Sequence, residues 1–240
     1  MDNPGYVTLS RQSALLQDMR VVANNIANLS TTGFRREQAI FTEIVDRLDV
    51  DGGSTSQTAA KVRATDFSQG ALRQTGGDFD FAIEGDGFFQ VETPDGPALT
   101  RAGGFVRAAN GELATMDGRR VLDEAGGPLF FPPGAREIVV ATDGTISADG
   151  QPVGRIGVVE VADPASLTRQ ENGLFVTDEA PTPTADAAVF HGFVETSNVE
   201  PVRELTRMIE IQRAYEMGQS FLEQEDERMR QAVRIMGGGT

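Results

Sequence analysis

Asp78, Asp80, Glu84 and Asp86 are the side chains in this sequence whose types and spacing come nearest to doing chemistry. Carboxylates on adjacent hairpin ends can face a shared cleft, as a glycosidase pair must, or can enclose a calcium ion. No ligand loop of the spacing that calcium needs follows them, which favours solvated turn carboxylates. Asp143-Gly144 and Asp149-Gly150 carry hairpin-turn chemistry instead. His191 is the single histidine, so a His-based metal cluster or a Ser-His-Asp triad would have to include it. It is expected in a strand leading into Gly192-Phe193-Val194. Gly85-Asp86-Gly87 is too short for a phosphate loop and has no helix after it. The expectation is a protein that is not an enzyme, with no catalytic residues, no metal and no cofactor. The runner-up is a glycan-binding or glycan-cleaving β domain of the periplasm, which would give the carboxylates a use.

The elements that would hold these residues point to assembly. Leu15, Met19, Val22, Ile26 and Leu29 alternate spacings of four and three, the seam of a helix that packs lengthwise on another helix. Met208, Ile211, Tyr215, Leu222, Met229 and Met236 keep that register near the other end, interrupted by Gly218, Glu225 and Ala232. Period alone leaves open whether the two helices pair with each other or with neighbouring subunits. Asn24, Asn25 and Asn28 are polar beside the seam and are candidates for subunit contacts, Asn25 and Asn28 foremost, because an amide satisfied across a packed seam fixes register. The candidate assembly residues are therefore Leu15, Met19, Val22, Asn25, Ile26, Asn28, Leu29, Met208, Ile211, Tyr215, Leu222 and Met229.

The first helix is expected to start near Tyr6 and to end at Ser30-Thr31-Thr32-Gly33. Phe41, Ile44, Val45 and Leu48 suit either a short helix or an extended arm, and Asp51 to Ala60 has little to bury and reads as a mobile loop. From Val62 to Val194 short apolar runs alternate with Gly and Asp turns, the pattern of a barrel or sandwich. Ser197 with Glu200 makes a capping-box pattern, and Pro201 suits the first turn of a last helix. The expected class is α+β, with long N- and C-terminal helices in a coiled-coil-like layer and a mainly antiparallel β middle domain. The expected divisions are residues 1–34, a connecting arm and loop over 35–69, the β domain over 70–196, and a helical segment over 197–240.

A chain of 240 residues with 39% hydrophobic and 24% charged content is long enough for one substantial core. Its net charge of −15 argues against nucleic acid, which demands a concentrated basic face, and keeps free subunits apart. No apolar run is long enough for membrane insertion. The lack of cysteine suits a chain that is exported and works in an oxidising compartment. Met1-Asp2-Asn3-Pro4 has neither the basic nor the apolar part of a Sec signal, so the chain is expected to be either cytosolic or exported by a route without a cleaved signal.

Asn24-Asn25-Ile26-Ala27-Asn28-Leu29-Ser30-Thr31-Thr32-Gly33-Phe34 resembles the N-terminal signature of the flagellar rod, hook and hook-associated axial proteins. Gly70-Ala71-Leu72 through Gly127-Pro128, including Ala82-Ile83-Glu84-Gly85-Asp86-Gly87-Phe88-Phe89-Gln90-Val91 and Thr100-Arg101-Ala102-Gly103-Gly104-Phe105, resembles the middle domain of that family. Glu195-Thr196-Ser197-Asn198-Val199 and Glu210-Ile211-Gln212-Arg213-Ala214-Tyr215-Glu216 resemble its C-terminal signature. The resemblance covers most of the chain. It implies a rod subunit, the proximal rod ahead of the distal, whose terminal helices line an inner tube with the β domain outside. It also implies partners: other rod subunits, copies of itself, and the flagellar type III export apparatus. The implied location is the basal body, in a shaft that spans the periplasm and transmits torque.

Overall fold

A computed structural model describes residues 3–47, 54–135, 137–184 and 187–237. The chain divides into a helical unit, Met1–Ala27 with Glu37–Asp66 and Glu200–Thr240, and a β unit, Asn28–Arg36 with Phe67–Val199. The class is α+β, and every named strand pairing is antiparallel.

In the helical unit, α1 (Asn3–Ala27) begins a few residues before Tyr6, with Pro4 in its first turn, where a missing N–H costs little. It is followed by β1 (Glu37–Arg47), β2 (Ser54–Thr65) and α2 (Pro201–Gly237). β1 and β2 form one antiparallel hairpin, from Glu37 opposite Thr65 to Arg47 opposite Ser54, with an irregularity between Ile40 and Phe41. The arm is thus a strand through Phe41, Ile44 and Val45. The part of the expected loop from Ser54 to Ala60 is strand as well, because pairing with β1 satisfies its main-chain N–H and C=O groups. Leu48 and Asp51 to Gly53 lie outside the described residues.

The β unit is organised by a six-stranded sheet in the order Thr168–Arg169, Leu174–Val176, Gly96–Thr100, Phe88–Thr93, Val158–Glu160 and Thr182–Pro183. Successive side chains of a strand point to opposite faces. Phe89, Val91, Ala98 and Leu174 accordingly enter one core with Phe81, Ile83, Phe105, Leu113, Phe131 and Ile156. Their neighbours Phe88, Leu99 and Phe175 enter a second core with Val159 and Leu167. With both faces covered, Phe88 and Phe89 are apolar at consecutive positions, one entering each core.

The turn signals work as hairpin corners. Pro94-Asp95 joins strands whose last pair is Thr93 opposite Gly96. Asp149 and Gly150, at φ of 49° and 75°, join Ala148 to Gln151, the left-handed pair that a two-residue hairpin requires. The Ser197–Glu200 capping box does not form. The Ser197 hydroxyl accepts from Val199 N–H at 3.3 Å, and α2 starts at Pro201, one residue past Glu200.

Candidate functional site

Of the suspected chemical residues, Asp80, Asp143 and His191 are engaged in turns and packing. Asp80 accepts from the Thr75 hydroxyl at 2.5 Å, and Asp78, Glu84 and Asp86 are exposed. Hydrogen bonds from the Thr145 amide, then from its hydroxyl, hold the Asp143 carboxyl below its ordinary pKa, as in an Asx turn. His191 ends a strand, stacks on Phe81 with ring centroids 5.7 Å apart, and sets Nε2 3.0 Å from the Asp78 carbonyl. Among the described residues no group of three or more His, Cys, Asp or Glu is placed to hold a metal ion.

The helical unit contains most of the candidate assembly residues. α1 and α2 pack on each other, and rising numbers on α1 meet falling numbers on α2: Gln12 beside Gly218, Asp18 beside Arg207, Asn25 beside Glu204. The helices are therefore antiparallel. Val22, Asn25 and Ile211 are buried within this unit, while Leu15, Met19, Ile26, Met208, Tyr215 and Leu222 are half-buried and Met229 is exposed. Asn28 and Leu29 lie past the end of α1, in the turn that opens the β unit.

Asn25 is 1% exposed, and its amide is used inside the chain. Its Nδ2 donates to the Glu37 carbonyl at 2.8 Å and to Glu204 Oε2 at 3.1 Å, and its Oδ1 accepts from Glu37 N–H at 2.9 Å. Asn25 thus sets register between α1, β1 and α2 of one chain, the role a buried amide plays in a coiled coil.

Apolar side chains outside the expected seam are left in solvent. Val202, Leu205 and Ile209 on α2 are exposed, and spacings of three and four put them on one face, away from buried Glu204 and Ile211. Leu9 and Leu16 on α1 and Met217, Phe221, Val233 and Ile235 on α2 are exposed too. The spacing of Val202, Leu205 and Ile209 was the available signal for this second face. Between the helices Gln12, Leu15, Ala214, Met217, Gly218 and Phe221 line a groove of about 380 Å³.

The β unit holds a second polar cluster that motif reading missed. Glu195 is fully buried and accepts from Arg35 Nη1 at 2.5 Å, Arg101 Nη1 at 3.3 Å and Gly70 N–H at 2.7 Å. Burial lowers the Arg101 guanidinium pKa to about 10, with Glu195 acting in the opposite direction, so Arg101 keeps its charge at neutral pH. Arg169 lies over the rings of Phe34 and Phe175 and donates to the Arg35 carbonyl. In a single sequence buried arginines and glutamates look like surface charge, and only their partners distinguish them.

Comparison with known proteins decides the family. Residues 6–35 match the flagella basal body rod protein family, residues 82–148 the flagellar hook protein FlgE/F/G D1 domain, and residues 191–235 the C-terminal family of flagellar basal body rod FlgEFG proteins. The chain is 40% identical to the flagellar basal-body rod protein FlgF of Caulobacter vibrioides, with 99% of each chain covered. The chain belongs to the flagellar basal-body rod protein family. Within this rod family it is also 35% identical to FlgF of Rhizobium meliloti over 97% of each chain, and 31% identical to FlgG of Bacillus subtilis over 96% of this chain and 97% of that one. The rod-family matches at both ends fall on α1 and α2, and the D1 match falls on the β unit.

Proposed function

We propose that this chain is a structural subunit of the proximal flagellar rod, the periplasm-spanning shaft that carries torque for motility. The carrying observation is the run of FlgF relatives, which extends over nearly the whole chain. The exposed apolar residues of α1 and α2 support it, because a free subunit gains nothing from holding Val202, Leu205 and Ile209 in water. Subunits joined head to tail by heterologous contacts build an open helical assembly, which a closed dimer interface cannot do.

In this reading the helices lie in a coiled-coil-like inner layer. The half-buried and exposed members of the candidate set, Leu15, Met19, Ile26, Asn28, Leu29, Met208, Tyr215, Leu222 and Met229, complete their burial against neighbours, while Val22, Asn25 and Ile211 hold the pair itself together. The partners are other rod subunits and copies of this chain, reached through the flagellar type III export apparatus. The role is mechanical and not enzymatic, a reading supported by Asp80, Asp143 and His191, which are engaged in turns and stacking. The distal rod is the alternative, and the FlgG relatives favour it to a smaller degree.

Electron cryo-microscopy of basal bodies from a strain lacking the gene tests the proposal. A rod missing from its base upward is the expected result. A rod that stops partway would assign the chain to the distal segment, and complete basal bodies would remove the rod reading.

A further inference from the structure

The chain leaves the β unit only through the segments 28–36, 67–71 and 195–199, and all of these meet at one place inside that unit. Glu195 accepts from Arg35 and from Gly70 N–H through its carboxylate, and from Gly33 N–H at 2.8 Å through its carbonyl. Asn198 adds a second set of ties. Its Oδ1 accepts from Arg36 N–H at 2.6 Å, its Nδ2 donates to the Ser68 carbonyl at 2.9 Å, and its own N–H donates to the Phe34 carbonyl at 3.3 Å. Arg35 Nη1 reaches the same Ser68 carbonyl at 2.7 Å.

The segments are in backbone contact. A Cβ on Gly70 would fall 2.0 Å from the Thr196 carbonyl oxygen, and one on Gly33 would fall 2.3 Å from the Ala102 nitrogen. Arg101 closes the cluster from beneath, donating to Glu195 and, at 2.7 Å, to the Gly85 carbonyl.

We infer that Glu195 and Asn198 are positioning residues for rod assembly, gathering the chain exits of the β unit into one fixed knot from which the axial helices start. This rests on the rod reading above. Force applied to the β unit of an assembled subunit has no covalent route to the axial segments except these exits. A knot in which the exits share one buried carboxylate and one amide loads them together, whereas untied exits would stretch in turn. A buried carboxylate between two guanidinium groups is intolerant of losing either partner, because that leaves an uncompensated charge out of water, so the ties hold only when all the segments are in register.

The test uses full-length Asn198→Ala and Glu195→Gln. Asn198 is half-buried and neutral, so N198A should leave the thermal midpoint of the β unit within about 2 °C of wild type. Hydrogen exchange at the Arg36 amide should rise at least tenfold, and the variant should fail to restore swimming in a strain lacking the gene. E195Q leaves Arg35 and Arg101 facing a neutral amide, and should also lose protection at Gly70, whose N–H donates to the Glu195 carboxylate. If E195Q does not fold, N198A alone carries the test. Wild-type swimming by N198A with its Arg36 amide deprotected would overturn the inference while leaving the rod reading intact, as would unchanged protection at Arg36. A gene-deletion strain with complete basal bodies would remove both.

Discussion

Asn25 on α1 donates to the carboxylate of Glu204 on α2 at 3.1 Å, with each residue 1% exposed. The same amide accepts from Glu37 N–H and donates to the Glu37 carbonyl, so one side chain satisfies groups on three elements. Asn25→Ala would leave the Glu37 amide buried without its partner and would strip a hydrogen bond from a buried carboxylate. The expected cost is about 2 to 4 kcal/mol, read as a lower urea midpoint for the helical signal in circular dichroism. A loss below about 0.5 kcal/mol would mean that water reaches this site.

Gly218→Ala should act in the opposite direction. Glycine inside a helix costs about 1 kcal/mol relative to alanine, and the new Cβ would sit 3.2 Å from Gln12 Nε2, the far end of a flexible side chain. The net change should be a gain of up to about 1 kcal/mol, seen as a raised helical melting midpoint. A lowered midpoint would show that Gln12 cannot move aside.

Gly103→Ala meets backbone and should not be tolerated. Its Cβ would fall 1.7 Å from the Phe81 carbonyl oxygen, which is tied into the strand Phe81–Glu84. A loss of about 4 kcal/mol or more is expected, visible as loss of the cooperative thermal transition of the β unit. A normal transition would contradict the close approach of these segments.

The Asp117 carboxyl provides a pH test. Burial raises its pKa, but the Thr115 hydroxyl, the Arg119 charge and further hydrogen bonds outweigh that, and the net shift is downward from 3.8. A depressed folded-state pKa stabilises the fold above the unfolded value and is lost as pH falls through the folded value. Asp117→Asn should therefore be less stable than wild type at pH 7, and the difference should shrink as pH drops below about 4. Denaturant midpoints of both proteins from pH 7 to pH 2.5 would show it, and a difference independent of pH would contradict the linkage.

Periodicity suffices to locate Val22 and Ile211, since a seam residue must recur with the helical turn. It cannot tell whether the seam closes within one chain, because that depends on pairs such as Asn25–Glu204, which lie 179 positions apart. Nothing local marks Ser54–Thr65 as a strand; its small polar residues adopt one because β1 lies alongside. The turns at Pro94-Asp95 and Asp149-Gly150 are legible because backbone geometry there admits few residue types. Ser197 and Glu200 match a capping pattern that never forms, as the backbone between them is drawn into the ties around Asn198 and Glu195. Glu195 is illegible for a related reason: its meaning lies entirely in Arg35, Gly70 and Arg101, brought to it from distant positions.

The most direct measurement of the central claim is complementation by Ile209→Asp, paired with basal-body imaging. Ile209 is half exposed on the apolar face of α2 with Val202 and Leu205, so in the free monomer the new charge stays solvated and stability should change by less than about 0.5 kcal/mol. In an assembled shaft the same carboxylate would be buried without a partner, which is expected to block incorporation. The expected result is a folded, exported protein with a wild-type melting curve in cells that neither swim nor complete a rod. Wild-type swimming with complete basal bodies would show that this face of the helix stays in water and that the subunit is not joined to its neighbours there.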